Sequence, residues 1–411
     1  MEDQLISSHR THRITRAALF GLALSLLALA AMSSSASAAK KKAAPKKTVL
    51  FSHGAVFTET NTVPNKVLAF NRSADGGLKL VGTVATGGSG HANNPLLGFP
   101  TLDSSGPVGL SPTGNCLFAV NGGSNTVSSF RLTSKGLKLV NHPSSGGDRP
   151  ISLTSAARGS KTLLYVLNSD TSSASINGYT VAPSCRLSHI KGSSRPTSTP
   201  TSVPAQIKFD TRGRVLAVSE RLANDIDIFP VDHNGVAGAP VVTASSQKTP
   251  YALAWNSRDI LAVAFEDFPP PAVANSTVTT YSLQKDGKLV ALTTAPSPGA
   301  ACWVDFTSNG GLLFSSNAVA QLFGGNSLLS YQVGKNGSLT TVGKQDTPYN
   351  SNEVELTRDD KYVYSLSDEL VPTQGPHAAI SAYKVNLKTG NFTPVGTTAL
   401  TQNSTAGLAV L

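Results

Sequence analysis

The chain has 411 residues, of which 14% are charged and 6% aromatic, and it contains 36 Gly and 24 Pro. No window repeats apolar residues at helical spacing, so the composition excludes a helical bundle and favours an all-β fold with many tight turns. The formal net charge is +10, but no basic stripe is interleaved with aromatic residues, which argues against nucleic acid as a partner.

Residues 1–38 have the pattern of a signal peptide. Basic residues from His9 to Arg16 precede an apolar run, Ala17 to Met32, and Ala36-Ser37-Ala38 follows as a cleavage site. The run is shorter than the roughly 20 residues of a bilayer span, although an uncleaved anchor is the alternative. We therefore expect export to the periplasm or the extracellular space, with no stable membrane insertion after cleavage.

A lysine-rich leader follows at residues 39–47, with the sequence AKKKAAPKK. It either contacts an anionic envelope weakly or is a solvated spacer. Residues 48–411 are predicted to form one domain, which we expect to be a monomer.

A repeat runs through this domain. Each unit begins with a strand that starts with a polar residue, continues with small or apolar residues and reaches an aromatic residue. A turn that contains Gly follows, and then a pair of apolar residues, as in KVLAFNRSADGGLKLV (66–81) and SLLSYQVGKNGSLTTV (327–342). Consecutive aromatic residues are separated by 49 to 60 positions. The seven aromatic anchors are Phe70, Phe130, Tyr179, Phe229, Tyr281, Tyr331 and Tyr383.

A second hairpin lies upstream in each unit, for example AQIKFDTRGRVLAVSE (205–220). Four antiparallel strands in about 50 residues are typical of a propeller blade, so the repeat predicts a seven-bladed β-propeller. TVLFSH (48–53) begins as a strand without a partner, and AGLAVL (406–411) is a spare strand at the other end of the chain. We expect this C-terminal strand to become the innermost strand of the first blade and to close the ring.

Three cysteines, Cys116, Cys185 and Cys302, show no spacing that indicates a disulfide framework or a zinc site. They are interpreted as small apolar residues of the interior. The glycine-rich stretch ATGGSGHANN (85–94) lacks the Lys-Ser/Thr of a phosphate loop, and no pair of His has ligand spacing. No cofactor and no metal site are predicted.

The candidate site follows from the path of a blade. The start of the first strand and the end of the second strand lie on the same face, so polar residues there should surround one mouth of the central channel. Glu220, Gln206 and Arg221 are the candidate catalytic residues. The candidate ligand-binding residues are Arg149, Asn168, Tyr251, Glu266, Trp303, Asn317, Glu353 and Asp368.

Crowded carboxyl groups at such a mouth suit general acid or base catalysis, and Arg149 and Arg221 suit a two-pronged grip on a carboxylate. The competing explanation is that these residues only solvate the strand ends. Glu220 and Arg221 then form a local ion pair, and Trp303 packs between blades. A small-molecule ligand or substrate is the expected partner.

The chain resembles the seven-bladed lactonase propellers, which include 6-phosphogluconolactonases and 3-carboxymuconate cyclases, and it looks most like an exported bacterial branch. The resemblance covers roughly 48–411 and is carried by LSPTGNCLFAVNGGSNTVSSF (110–130), VPAQIKFDTRGRVLAVSERLANDIDIF (203–229) and AACWVDFTSNGGLLFSSN (300–317). It implies Arg-His at the start of a channel strand and Asn-Glu at the end of the next. Here Glu220 matches the Glu, but Ala205-Gln206 replaces Arg-His and Ser219 replaces the Asn.

Two hypotheses remain. In the first, the protein is an exported lactonase-like enzyme for a small lactone or a carboxylated ring compound, with Glu220 as general base, Gln206 as a polar orienter and Arg221 or Arg149 as the clamp. In the second, it is a non-catalytic propeller whose mouth binds a small molecule, a glycan or a protein.

Overall fold

The computed structural model describes residues 50–91, 102–170, 172–267, 275–297, 299–318, 326–368, 378–402 and 404–411. These residues form 29 β-strands and no α-helix, so the predicted all-β class is confirmed. The predicted signal peptide, residues 1–38, and the leader, residues 39–47, lie outside the described residues. No helix in the described part has the length and apolar character needed to cross a membrane.

The strands are divided among seven antiparallel sheets, one for each blade. From the axis outward, blade 1 contains β29 (Ala406–Val410), β1 (Ala55–Glu59), β2 (Lys66–Arg72) and β3 (Leu78–Ala85), and blade 2 contains β4 (Val108–Leu110), β5 (Cys116–Asn121), β6 (Thr126–Thr133) and β7 (Gly136–Asn141). Blade 3 contains β8 (Pro150–Arg158), β9 (Lys161–Asn168), β10 (Ser175–Val181), β11 (Leu187–His189) and β12 (Arg195–Pro196).

The other four blades have four strands each. Blade 4 contains β13 (Pro204–Phe209), β14 (Val215–Glu220), β15 (Asp225–Pro230) and β16 (Val241–Ala244), and blade 5 contains β17 (Pro250–Trp255), β18 (Ile260–Phe265), β19 (Thr277–Leu283) and β20 (Leu289–Pro296). Blade 6 contains β21 (Ala300–Phe306), β22 (Leu312–Ala318), β23 (Ser327–Val333) and β24 (Leu339–Asp346), and blade 7 contains β25 (Asn350–Leu356), β26 (Tyr362–Asp368), β27 (Ala378–Val385) and β28 (Phe392–Leu400).

Aromatic side chains on the third strands pack the blades against one another. All seven anchors of the repeat are buried, with at most 4% of their surface exposed. Phe130 of blade 2, for example, packs in one apolar cluster with Phe57 and Val67 of blade 1. Burial of large aromatic surface between sheets supplies the main favourable free energy for holding neighbouring blades together.

Blade 3 departs from the four-strand pattern at its outer edge. There β11 pairs with the end of β10 and β12 pairs with its start. A turn separates the two short strands, with Ser193 N donating to Ile190 O at 3.1 Å and Gly192 at a φ of +76°. The left-handed backbone at Gly192 interrupts the extended strand, so the outer edge is divided in two.

The ring is closed by the two chain ends. β29 pairs antiparallel with β1, with Val410 opposite Val56 and Ala409 opposite Phe57, as predicted. The innermost strands of the seven blades contact one another in sequence around the axis. The start of the first strand differs from the prediction: residues 50–54 form a turn, because Phe51 and Gly54 have φ of +66° and +112°, and β1 begins at Ala55.

Two of the cysteines form a disulfide, and the interpretation of Cys116 and Cys185 as unpaired interior residues was therefore wrong. Cys116 begins β5 and Cys185 lies in the turn after β10, with 5.5 Å between their Cα atoms. They are 69 positions apart in sequence, so local spacing gave no signal. The bond ties blade 2 to blade 3, while Cys302 is a free, buried thiol.

Deletion of residues 406–411 is expected to lower the melting temperature by at least about 10 °C or to prevent folding, because blade 1 loses its inner strand and the ring its closure. Thermal denaturation followed by circular dichroism measures the change. An unchanged melting temperature would contradict the closure.

A matched pair of leucines provides the control for this deletion. Leu408 of β29 is fully buried, whereas Leu387 is 47% exposed. Leu408→Ala is expected to cost about 2–5 kcal/mol of unfolding free energy. Leu387→Ala should change it by no more than about 0.5 kcal/mol.

The disulfide gives a second prediction. Cys116→Ser is expected to lower the unfolding free energy by about 2–4 kcal/mol, because the unfolded chain loses a cross-link. Chemical denaturation measures the loss, and adding a reductant should remove the difference from wild type. Thiol titration of the unfolded, unreduced wild type should find one thiol, that of Cys302; three thiols would contradict the bond.

Candidate functional site

A short segment before blade 2 crosses one mouth of the channel. In this mouth segment, residues 102–106, Ser105 N donates to Ala205 O of blade 4 at 3.2 Å, and Ser105 Oγ donates to Glu353 Oε1 of blade 7 at 3.1 Å. Ser152 of blade 3 donates its hydroxyl to Ser105 O at 2.6 Å. The segment therefore joins three blades at the face where the sequence places the candidate site.

Arg221 is the centre of the polar contacts at this mouth. Its Nη1 donates to Asp103 Oδ2 at 2.6 Å, and its Nη2 donates to Glu266 Oε2 at 2.9 Å. The guanidinium carbon lies 5.0 Å from the centre of the Tyr251 ring. About one-tenth of each charged side chain is exposed, so these ions are largely removed from water and interact strongly.

Trp303 and Cys302 of β21 complete the group. The Tyr251 and Trp303 rings meet edge to face with centroids 5.4 Å apart. The Cys302 thiol donates to Glu266 Oε1 at 3.3 Å. Among the described residues, Trp303 Nε1 and Arg221 Nε are buried donors without a hydrogen-bond partner. Buried donors of this kind are costly, and a bound oxygen acceptor would satisfy them.

Arg149 lies beside this group. Its Nη2 donates to Leu102 O and its Nη1 to Ser169 O, both at 3.5 Å. Its pKa is lowered by burial and by the charge of Arg221, while Asp103 opposes this effect. We call the whole group the mouth cluster: Asp103, Arg149, Arg221, Tyr251, Glu266, Cys302 and Trp303.

Burial changes the pKa values of the ionisable groups in the mouth cluster. It raises the pKa of Glu266, and the Arg221 charge only partly opposes this rise. For Arg221, burial lowers the pKa, but the Asp103 and Glu266 carboxylates outweigh it and the net pKa lies above the usual value. Burial also raises the pKa of Cys302 and of Tyr251, so both remain protonated donors. The raised pKa makes Glu266 a stronger base than an exposed glutamate, which suits it to accept a proton.

Deeper in the channel, three more carboxyl groups surround Lys208 of β13. Burial and the neighbouring Asp305 raise the pKa of Glu355 to about 8, and Lys208 lowers it in part. Burial and Glu355 raise the pKa of Glu353 as well. Asp305 Oδ2 accepts a hydrogen bond from Leu356 N at 3.0 Å, which ties blade 6 to blade 7. The lining of the channel is therefore mainly acidic.

The predicted site residues fall into three groups. Arg149, Arg221, Tyr251, Glu266 and Trp303 meet in the mouth cluster. Gln206 and Glu353 lie on inner strands, where Gln206 Oε1 accepts from Leu253 N at 2.5 Å and Glu353 accepts from the mouth segment. The third group, at the ends of second strands, contains Asn168, Glu220, Asn317 and Asp368.

Glu220 is buried within its blade and is not exposed at the mouth as the sequence suggested. None of its surface is exposed, and its Oε2 accepts a hydrogen bond from Ser202. Asn317 holds the matching strand end in blade 6, donating to Ser327 O at 3.3 Å and accepting from Ser297 Oγ at 2.7 Å. Burial and the charge of Asp227 raise the pKa of Glu220 to about 9, so it is a neutral acid at pH 7, able to donate and accept like an amide.

Two members of the mouth cluster were not among the predicted site residues. Asp103 lies in the mouth segment, ahead of the strand start from which the site was read, so the rule based on strand ends did not reach it. Cys302 was interpreted as an apolar residue. A carboxylate beside Ser104-Ser105-Gly106, just before a channel strand, was the available signal for Asp103.

A cavity of about 360 Å³ lies at the opposite face, between blades 2 and 3. Its lining includes Ser111, Thr113, Asn115 and Lys161, near the turns that follow the inner strands. It brings together hydroxyl groups and one lysine without a carboxyl group. Within the described residues, no three His, Cys, Asp or Glu side chains are grouped so that they could hold a metal ion.

Glu220 gives a pH prediction. Its folded pKa of about 9 lies above that of an unfolded glutamate, so the stability from burying the neutral acid is present below about pH 4.5 and is lost as pH rises towards 9. Glu220→Gln should remove this loss. The melting temperature of the variant minus that of wild type should therefore grow from pH 5 to pH 9, and a difference independent of pH would contradict the neutral acid.

The model of the family described as lactonase, seven-bladed β-propeller, matches residues 108–268. A periplasmic gluconolactonase from Pseudomonas aeruginosa is 14% identical, with 87% of this chain and 99% of that chain covered and a TM-score of 0.61. A protein from Bacteroides fragilis with the provisional name 6-phosphogluconolactonase is 17% identical, with 87% and 98% covered and a TM-score of 0.60.

A protein from Lactobacillus plantarum is 13% identical, with 87% of this chain and 99% of that chain covered and a TM-score of 0.64. No curated protein sequence matches the chain. At such identities the solved structures show the fold alone. They share the seven-bladed β-propeller fold with this chain, and residues 108–268 of this chain are similar to the lactonase family model.

Proposed function

We propose that the protein is a lactonase-like hydrolase that opens the ring of a small lactone at the mouth cluster. The family match supports a lactonase-like function in general. The observation that carries the proposal is the pairing of Glu266 with Arg221 at 2.9 Å in a largely buried setting, beside the unpartnered Trp303 Nε1. A base and unsatisfied donors in one water-poor place are what ring opening requires.

In this proposal each group has a role. Glu266 accepts a proton from a water molecule as the water oxygen bonds to the lactone carbonyl carbon. Arg221, Trp303 Nε1 and the Tyr251 hydroxyl donate to the carbonyl oxygen as its negative charge grows. The ring carbon–oxygen bond then breaks, and the proton held by Glu266 passes to the departing alkoxide, which gives a hydroxy acid.

Export is a further part of the proposal. The signal-peptide pattern of residues 1–38 supports it. The Cys116–Cys185 disulfide supports it independently, because disulfides persist in the periplasm and outside the cell and are rare in the cytosol. In an exported protein the substrate would be met outside the cytoplasm.

A panel of small lactones tests the activity. Glu266→Gln is expected to lower kcat/KM by at least about 100-fold, since a positioned general base typically contributes 10²- to 10⁴-fold. Glu220→Gln makes the same change at a buried glutamate outside the mouth cluster and is expected to change kcat/KM by less than about threefold. A large loss in Glu220→Gln with little loss in Glu266→Gln would instead assign the base to Glu220.

The second candidate is a non-catalytic propeller that binds a small molecule, a glycan or a protein at the same mouth. It is favoured by Ala205-Gln206, which stands where the resemblance implies Arg-His. Absence of turnover across the panel, together with a ligand that binds wild type and not Arg221→Ala, would select this candidate.

A further inference from the structure

The charges of the mouth cluster are already paired within the protein. Arg221 contacts both Asp103 and Glu266, at 2.6 and 2.9 Å. The charge of Arg149 interacts with those of Asp103 and Asp170. Two guanidinium groups therefore face three carboxyl groups, and an anion that approached Arg221 would meet the Asp103 carboxylate at the same nitrogen.

The next cation along the channel is Lys208. Lys208 interacts with Asp305, Glu353 and Glu355, and burial raises the pKa of all three carboxyl groups, that of Glu355 to about 8, so Glu355 is uncharged at pH 7. Phosphate groups are usually recognised by arginine or lysine side chains that have donors to spare. At the mouth cluster, carboxylates already hold both Nη atoms of Arg221, which leaves only its Nε for a further acceptor.

The propeller residues outside the description add no lysine or arginine. Within residues 48–411, the residues outside the description are 48–49, 92–101, 171, 268–274, 298, 319–325, 369–377 and 403. They contain neither lysine nor arginine. These residues therefore supply no further guanidinium or ammonium group.

We propose that the mouth cluster selects an uncharged ring over one that carries a phosphate or carboxylate group, and that Asp103 sets this preference. The identification of the ring as a lactone rests on the proposed function. The preference for an uncharged ligand concerns binding alone and does not require catalysis. Asp103 suits the role because it holds Arg221 Nη1, lies on the mouth segment and leaves proton transfer to Glu266. When the charge of Asp103 is removed, Arg221 Nη1 loses its anionic partner. The net charge around Arg149 and Arg221 then becomes more positive, which favours the binding of an anion.

Inorganic phosphate is the first probe, because it tests the charge preference without a lactone. Calorimetric titration of the full chain at low ionic strength should find no phosphate binding to wild type at millimolar concentration. Asp103→Asn keeps the shape of the side chain and should bind phosphate at least tenfold more tightly than wild type. Asp286→Asn, at an exposed carboxylate in the turn before β20, makes the same change in net charge and should behave as wild type. Melting temperatures confirm that each variant folds, and Asp103→Ser replaces Asp103→Asn if that variant does not.

Glucono-1,5-lactone and its 6-phosphate provide the second comparison, by kcat/KM. Wild type should favour the uncharged lactone by at least tenfold, and Asp103→Asn should reduce this ratio at least tenfold. Three results would each overturn the inference. The first is millimolar phosphate binding to wild type that is lost in Arg221→Ala, and the second is no gain of phosphate binding in Asp103→Asn. The third is equal use of both lactones by wild type. If the phosphate results hold and no lactone is hydrolysed, the charge preference stands and the proposed hydrolase fails.

Discussion

The pairing of β29 with β1 is the constraint on which the rest of the structure depends. Each blade alone is a small sheet of four or five strands with two apolar faces, and it is stable only when both faces are covered by neighbours. Closure of the ring covers the last two faces and fixes the innermost strands around one axis. Residues as far apart in sequence as Asp103, Arg221 and Cys302 become neighbours only because the ring is closed.

The fold could be predicted because the repeat is strong. Seven aromatic anchors recur at nearly constant spacing, and each is a buried residue on the third strand of its blade. The same regularity predicted the spare C-terminal strand and its place. The pairing of Cys116 with Cys185 could not be read from spacing, because the blade path alone brings them together.

The site was predicted in part for a physical reason. Strand ends converge on one face, so the rule found Arg149, Arg221, Tyr251, Glu266 and Trp303, which do meet. The same rule selected Glu220, Asn168 and Asn317, which are buried and make hydrogen bonds to nearby backbone and hydroxyl groups away from the mouth cluster. Both kinds of residue lie near the start or the end of a strand at the same face, so only the direction of the side chain separates them. Asp103 was not predicted as a site residue because its segment crosses the mouth and is not part of a strand.

The position of β29 also bears on how the protein is made. The N-terminal end of a chain emerges from the ribosome first and begins to fold during synthesis. Here the first blade lacks its axial strand until residues 406–410 have been released. Completion of the ring therefore follows the synthesis of all seven blades, and a chain truncated by a premature stop codon before residue 406 would leave two open sheet faces for chaperones or proteases to recognise.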